Sequence, residues 1–137
     1  MPAVPSPPFE TPLRVRYAET DQMGVVYHAN YLRYFEQGRT ELMRASGLAY
    51  SDLEKRGFRL VVTESKCHHH APAAYDTVLS VLARVAEVGR ASIRFDYRIS
   101  DPPGTLVCEG STRLACVDRE ARPARLPADV VEILLKQ

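Results

Sequence analysis

The sequence NYLRYFEQGRTELMRASG, residues 30–47, carries the spacing of an amphipathic helix. Its apolar residues recur at helical intervals, at Tyr31, Leu32, Phe35, Leu42, Met43 and Ala45. Asn30 is a residue type favoured at helix N-caps, and Gly47 is a stop signal. We therefore expect about four turns of helix over residues 31–46, with one face buried.

Gly38 lies in the middle of this predicted helix, where glycine costs roughly 1 kcal/mol relative to alanine. Two explanations stay open, namely a tolerated defect and a close approach of the helix backbone to a strand or a ligand. Glu36 and Arg39 lie three positions apart on the same helix. That spacing favours a structural ion pair over a catalytic role for either side chain.

Five segments outside the helix have the apolar patterns of strands, and in the first of them Leu13, Val15 and Tyr17 share one face. The predicted strands are residues 11–20, 58–70, 75–88, 91–100 and 105–118. The links at 89–90 and 101–104 are short and therefore require antiparallel hairpins. The order of one strand, one long helix and four strands in a meander predicts an α+β fold with an antiparallel sheet.

The length of 137 residues is typical of a single domain. Half of the ten prolines lie in the first dozen residues, so residues 1–11 are expected to form an extended tail. Residues 12–118 then form the domain, and residues 119–137 form a C-terminal extension. Within that extension, residues 127–137 are expected to form a short helix with Pro127 at its first position.

The charge and cysteine content exclude several classes of protein. Lys and Arg (18) nearly balance Asp and Glu (17), and the net charge of +1 argues against nucleic acid as a partner. The three cysteines form no CxxC motif and predict neither a disulfide framework nor a zinc site. No secretory signal and no apolar run of membrane-span length are present. We expect a cytoplasmic protein without a membrane span.

Residues 75–88 carry apolar side chains on both faces of the predicted strand, at Val78, Leu79, Val81 and Leu82. One helix can cover only one face of the sheet. We therefore expect the second face or an edge to meet another copy of the chain, which predicts a homo-oligomer.

The loop before the helix concentrates groups that can do chemistry. Asp21 lies near the helix N-terminus, where backbone N–H groups and the helix dipole favour negative charge. A single Asp in a loop often only caps a turn. Two features favour function here, because His28 follows at the helix entrance and Gly24 lets the backbone approach a ligand closely. Polar Glu19 and Asn30 flank a segment that is otherwise apolar and aromatic, as suits a pocket wall.

This loop resembles a known active-site signature. The matching residues are Arg14-Val15, Thr20-Asp21, Gly24-Val25-Val26, His28 and Tyr31. They resemble the signature of the 4-hydroxybenzoyl-CoA thioesterase family, which consists of hotdog-fold acyl-CoA thioesterases. Residues 31–39 and 71–79 extend the resemblance, which is closest to the branch that includes the Tol–Pal-associated enzymes. It implies a long central helix wrapped by a five-stranded antiparallel sheet, and a homo-oligomer that is either a dimer of hotdogs or a tetramer.

The resemblance also implies roles for individual residues. Asp21 matches the catalytic carboxylate, which acts as a nucleophile or as a general base for water. His28 matches the position whose backbone N–H polarises the thioester carbonyl. The substrate-binding positions are Tyr17, Gly24, Val26, Tyr27, Tyr31 and Arg59. The resemblance implies acyl-CoA as the substrate, and neither a metal nor a separate cofactor.

Three points stay open beside this interpretation. Glu64 is a second candidate carboxylate. His68-His69-His70 stands where the family often has an aromatic residue, and a polar or pH-sensitive patch is favoured there over metal binding by His68 and His70, which lack a third ligand. The CoA phosphates could meet Arg56, Arg59, Lys66, Arg90, Arg94 or Arg113. An acyl-thioester dehydratase and a non-catalytic acyl-CoA-binding module are the alternative functions.

Overall fold

The computed structural model describes residues 8–135 of the chain. Its strands are β1 (Phe9–Arg14), β2 (Arg59–His69), β3 (Val78–Val88), β4 (Ser92–Ser100) and β5 (Leu106–Val117). Its helices are α1 (Asn30–Ala45), α2 (Tyr50–Lys55) and α3 (Ala128–Leu135), with a 3₁₀ turn at Tyr17–Glu19. Residues 1–7 of the predicted tail lie outside the described residues. Residues 9–11, which were predicted as part of the tail, belong to β1, where Phe9 pairs with Ala83 of β3.

The five strands form one antiparallel sheet in the order β1-β3-β4-β5-β2. The two predicted hairpins are confirmed, but the four-strand meander is wrong, since β2 pairs with β5 and not with β3. Residues 70–77 connect β2 to β3 and are too long for a tight hairpin. The N–H groups of His70 and Ala71 both donate to the Val107 carbonyl, which keeps the end of β2 beside β5.

The first strand ends at Arg14, six residues before the predicted end at residue 20. The chain leaves the strand and forms the 3₁₀ turn at Tyr17–Glu19, where the Glu19 carboxylate accepts a hydrogen bond from the Arg16 N–H at 2.9 Å. Tyr17 therefore leaves the face that it was predicted to share with Leu13 and Val15. Its side chain is 77% exposed, whereas Val15 is fully buried.

The helix α1 packs one face onto the sheet, as its apolar spacing predicts. The Phe35 ring stacks on Tyr97 with a centroid distance of 4.3 Å. A Cβ atom at Gly38 would lie 2.9 Å from Val81 Cγ1, so the close-approach explanation of this glycine is confirmed. Asn30 is not the N-cap but the first helical residue. The helix has 16 residues, and no helix among residues 8–135 is long and apolar enough to cross a membrane.

The C-terminal helix is confirmed and begins at Ala128, one residue after Pro127. Val130 and Leu134 are fully buried, so the extension packs into the core of the domain. The Arg56 guanidinium, which follows α2, forms an ion pair with Asp129 at 2.9 Å. The short helix α2 itself was not predicted, since six residues are too few to establish a helical period.

Candidate active site

Asp21 begins a tight turn on the surface of the domain. Its backbone N–H donates to the Val25 carbonyl at 2.8 Å, and its carbonyl accepts from the Gly24 N–H at 3.0 Å. Gly24 has a φ of 78°, which a residue with a side chain rarely adopts. Asp21 Oδ1 accepts from the Met23 N–H at 2.8 Å. Within residues 8–135, Oδ2 has no hydrogen-bond partner, and the exposed carboxylate therefore keeps one oxygen available.

The far side of this turn is attached to residues 73–75. Val26 donates to the Ala73 carbonyl at 2.9 Å, and Tyr75 donates to the Gly24 carbonyl at 3.2 Å. Val26 is buried, as expected for a pocket-wall residue. The Tyr17 ring meets the Tyr75 ring edge to face at 5.7 Å. The turn that carries Asp21 is thus held on two sides by backbone hydrogen bonds and by an exposed aromatic pair.

Glu19 is the polar anchor of the loop, a role that the sequence did not reveal. The residue is 9% exposed, and Oε1 accepts a hydrogen bond from Tyr34 Oη at 3.0 Å as well as from the Arg16 N–H. Its carbonyl accepts from the Tyr27 N–H at 2.9 Å and from Asn30 Nδ2 at 2.8 Å. Burial raises the pKa of Tyr34, and the bond to Glu19 raises it further. Both ends of the loop therefore depend on one residue.

His28 stands exposed at the entrance to α1. Its ring centroid lies 4.6 Å from that of Tyr27 and 6.3 Å from that of His69. Within the described part of the chain, the backbone N–H groups of His28 and Ala29 donate to no acceptor. Free N–H groups at a helix N-terminus can stabilise an oxyanion.

Tyr31 closes the inner side of this region. It is 4% exposed, and its ring lies 5.4 Å from that of His69 and 5.7 Å from that of Tyr34. Burial, with the thiols of Cys108 and Cys67 nearby, raises the pKa of Tyr31 to about 12. The phenol therefore stays neutral at physiological pH and can act only as an uncharged wall or donor.

Arg59 is the one predicted site residue that a single chain does not bring near the others. It begins β2, whereas His69 ends the strand ten residues later, about 33 Å away along extended backbone. Its guanidinium donates to the Arg119 carbonyl at 3.3 Å. Four of the other proposed phosphate-binding cations are already paired with carboxylates, in Arg56–Asp129, Lys66–Glu64, Arg94–Asp96 and Arg113–Glu87.

Glu64 lies on the outer face of the sheet, opposite the face that α1 covers. It forms an ion pair with Lys66 at 3.5 Å, and Lys66 and His68 line an open cavity of about 610 Å³ on that face. A second open cavity, of about 600 Å³, lies between β1 and α1 and is lined in part by Glu19. Neither cavity is lined by Asp21 or His28, so in one chain these residues occupy open surface.

His68 and His69 lie on opposite faces at the end of β2, as the alternation of a strand predicts, and His70 follows the strand. The rings of His68 and His70 lie 5.5 Å apart, and His70 Nε2 is 2.9 Å from Glu109 Oε2. His69 instead faces α1, where its Nδ1 is 4.0 Å from Cys67 Sγ. Burial raises the pKa of the Cys67 and Cys108 thiols, which therefore stay protonated and are poor nucleophiles.

With this geometry in place, similarity to known proteins identifies the family. Residues 15–134 match the model of the thioesterase-like superfamily. The chain belongs to this superfamily. Its match to a putative acyl-CoA thioesterase, YneP of Bacillus subtilis, is 38% identical and covers 80% of this chain and 79% of that protein. Its match to the acyl-CoA thioester hydrolase YbgC of Escherichia coli is 33% identical and covers 90% of this chain and 92% of that protein.

The solved structure of a thioesterase has the same fold as this chain. The DHNA-CoA thioesterase of Staphylococcus aureus superposes with a TM-score of 0.89 at 34% identity. The alignment covers 93% of this chain and 88% of that one. The expected hotdog fold, a five-stranded antiparallel sheet with helices, is thereby confirmed.

Proposed function

We propose that this thioesterase-like protein hydrolyses an acyl-CoA thioester to the free acid and CoA. The observation that carries the proposal is the exposed Asp21 carboxylate with one unpaired oxygen, on the loop that leads to the free N–H groups of His28 and Ala29. A carboxylate and an oxyanion site together can catalyse thioester hydrolysis. Relatives at 33–38% identity carry the names of acyl-CoA thioesterases.

In the proposed reaction, the thioester carbonyl oxygen accepts hydrogen bonds at the N-terminus of α1. Asp21 then either removes a proton from a water that attacks the carbonyl carbon, or attacks it directly to form an anhydride that water hydrolyses. The C–S bond breaks in both routes, and CoA leaves as a thiolate that takes up a proton. Hydrolysis in H₂¹⁸O under single-turnover conditions would establish direct attack if label appears in Asp21, which requires that water opens the anhydride at the Asp21 carbonyl carbon.

The open position of the site supports assembly from two copies. The strand β2 pairs with β5 on one side and, among residues 8–135, with no strand on the other. Val61 and Val62 of β2 are 43% and 47% exposed. Antiparallel pairing of two copies through this edge would place Arg59 of one copy near the His69 end of the other. We propose that such a dimer, and a tetramer built from it, forms the acyl pocket and a basic rim for the CoA phosphates.

The finer classification is also a proposal. On Asp21, Gly24, His28 and Tyr31 we assign the chain to the 4-hydroxybenzoyl-CoA thioesterase branch with the Tol–Pal-associated enzymes. In this assignment the 16-residue α1 takes the role of the central hotdog helix. A cytoplasmic location and the absence of a required cofactor remain predictions.

The decisive experiment is a thiol-release assay on short, medium, long and aromatic acyl-CoAs. We expect Asp21→Asn to lower kcat by at least about a hundredfold, the order expected for a positioned acid–base group. Asp101→Asn is the matched control, since Asp101 also holds a turn, through the Thr105 N–H at 2.9 Å, but stands between β4 and β5. Equal rates for Asp21→Asn and wild type on every substrate would refute the proposal. Hydration or dehydration of the acyl chain without thiol release would support the dehydratase instead.

Light scattering tests the assembly. We expect wild type to be at least a dimer at micromolar concentration and Val62→Lys to weaken that association. Val78→Lys is the comparison, because Val78 is exposed on β3, an interior strand away from the β2 edge. A larger loss of association for Val78→Lys than for Val62→Lys would assign the dimer contact to the uncovered sheet face and not to the β2 edge. A monomeric wild type would contradict the assembly from two copies.

A further inference from the structure

Two thiols and one imidazole converge on the inner face of the sheet. Cys67 and His69 lie two residues apart on β2 and share a face, and Cys108 of β5 stands directly opposite His69. Cys67 Sγ is 3.0 Å from Cys108 Sγ and 4.0 Å from His69 Nδ1. The three ligand atoms all lie within 4.8 Å of one another.

These separations are close to those of a tetrahedral metal site. With Zn–S and Zn–N bonds of about 2.3 and 2.1 Å, neighbouring ligand atoms lie about 3.5 to 3.8 Å apart. The Cys67–Cys108 pair is shorter than this range and the Cys67–His69 pair is longer, each by less than about 1 Å. The Cys108 Sγ and the His69 ligand nitrogen lie within 4.8 Å of each other. Rotation of the three side chains would have to bring the donors to these spacings, on a backbone fixed by the pairing of β2 with β5.

We propose that Cys67, His69 and Cys108 bind a zinc ion. Zinc displaces the protons of the two thiols to solvent as it binds. Two thiolates and one imidazole are a donor set that zinc prefers, and three protein ligands leave a fourth coordination position for water or another small ligand. The site differs from the His68 and His70 pair considered from the sequence, which lies on the outer face. It goes beyond the proposed hydrolysis, in which Asp21 acts without a metal.

The burial of Cys67, His69 and Cys108 is consistent with a site that a zinc ion enters from the protein surface. Cys108 is fully buried, Cys67 is half-buried and His69 is exposed. The donors therefore run from the interior to solvent, with the Tyr31 and His28 rings beside His69. A buried cysteine and a neighbouring strand position hold two ligands rigidly, while the exposed imidazole can close over an entering ion.

The test measures metal binding by the reduced full-length protein. After removal of metals with a chelator, the protein receives an excess of zinc, is freed of unbound metal, and is analysed by native mass and elemental analysis. We expect about one zinc per chain. Cobalt(II) should produce the intense sulfur-to-metal absorption of thiolate ligation. His69→Gln, an exposed substitution that preserves the fold, should reduce the bound zinc at least tenfold, as should Cys108→Ser if it folds.

Two matched controls separate this site from unspecific binding. His68→Gln changes a histidine on the opposite face of the same strand, and Cys116→Ser changes the remaining buried cysteine on β5. Both should keep wild-type zinc content. The proposal is wrong if wild type binds less than about a tenth of an equivalent, if His68→Gln loses as much zinc as His69→Gln, or if Cys67 and Cys108 form a disulfide that resists reduction and excludes zinc. None of these outcomes bears on the Asp21→Asn result, so the two proposals fail separately.

Discussion

The middle of α1 and the loop that leads into it are held by different forces. Over the sheet, Phe35 stacks on Tyr97 and Gly38 touches Val81, so the contact is apolar and tightly filled. In the loop, backbone hydrogen bonds and the buried Glu19 carboxylate hold the chain, and the side chains of the candidate site stay exposed. Substitutions in the first region should therefore cost stability, and substitutions in the second should cost activity as well.

The largest effect is expected where the packing is tightest. A Cβ atom at Gly110 would lie 2.0 Å from the Lys66 carbonyl oxygen and 3.0 Å from Phe35 Cε2. Because the first contact is with backbone, β2 and β5 must separate to admit it. We expect Gly110→Ala to lower the free energy of unfolding by about 3 kcal/mol or more, measured by urea denaturation.

Gly104→Ala is the control for this substitution. Gly104 has a φ of 95° and no heavy atom within 4 Å of the added Cβ, so only backbone strain of about 1 kcal/mol is expected. Equal losses for Gly104→Ala and Gly110→Ala would show that crowding is not the cause.

The anchor of the loop should affect both stability and activity. Glu19→Ala leaves the Tyr34 hydroxyl and the Arg16 N–H without their partner, at a cost of about 2 kcal/mol in the free energy of unfolding. Thiol release should fall as well, at a temperature where the variant is folded. Glu36→Ala is the control, because Glu36 is exposed and its contact with Arg39 is 3.9 Å long. That variant should change stability by less than about 0.5 kcal/mol. Unchanged activity in folded Glu19→Ala would contradict the anchoring role.

Gly38→Ala should have a smaller effect because two terms oppose each other. The added methyl meets Val81 Cγ1 at 2.9 Å, while alanine favours the helix by about 1 kcal/mol. We expect a net loss of about 1 kcal/mol in the free energy of unfolding and no change in thiol release. In a Val81→Ala background, which opens the space, the same substitution should become stabilising. A destabilisation of equal size in both backgrounds would rule out this contact.

The smallest effect belongs to a surface pair outside both regions. The hydrogen bond from the Arg56 guanidinium lowers the pKa of Asp129. A lowered folded-state pKa stabilises the protein above the unfolded value of about 3.9, and the contribution is lost as the pH falls through the folded value. Asp129→Asn should therefore shift the urea midpoint slightly at pH 7 and not at pH 2. An equal shift of the urea midpoint at pH 7 and pH 2 would show that the ion pair between Arg56 and Asp129 is not the cause.

The regular elements could be predicted because their residues alternate with the period of the structure that they form. In β4, Ile93, Phe95 and Ile99 are all fully buried, as the alternation predicts. The helix α1 begins one residue before its predicted start and ends one residue before its predicted end. In each case the periodic signal is local, and the packing agrees with it.

The end of β1 and the neighbours of β2 could not be predicted in this way. β1 ends early because the Glu19 carboxylate accepts from the Arg16 N–H, and Tyr34, fifteen residues further along the chain, donates to the same carboxylate oxygen. No local pattern of the sequence reports the bond from Tyr34. The face that His69 occupies follows from alternation. Its approach to Cys108 depends on the register between β2 and β5, which the sequence does not state.

The run of histidines at the end of β2 has a consequence for insertions and deletions. A slip of one residue in the pairing of β2 with β5 exchanges the inner and outer faces of the strand. Either direction of slip would replace His69 with another histidine, His68 or His70, so the imidazole beside Tyr31 would survive. The place of Cys67 would pass to Lys66 or His68. An insertion or deletion of one residue in β2 therefore keeps an imidazole beside Tyr31 but removes the thiol that Cys67 supplies.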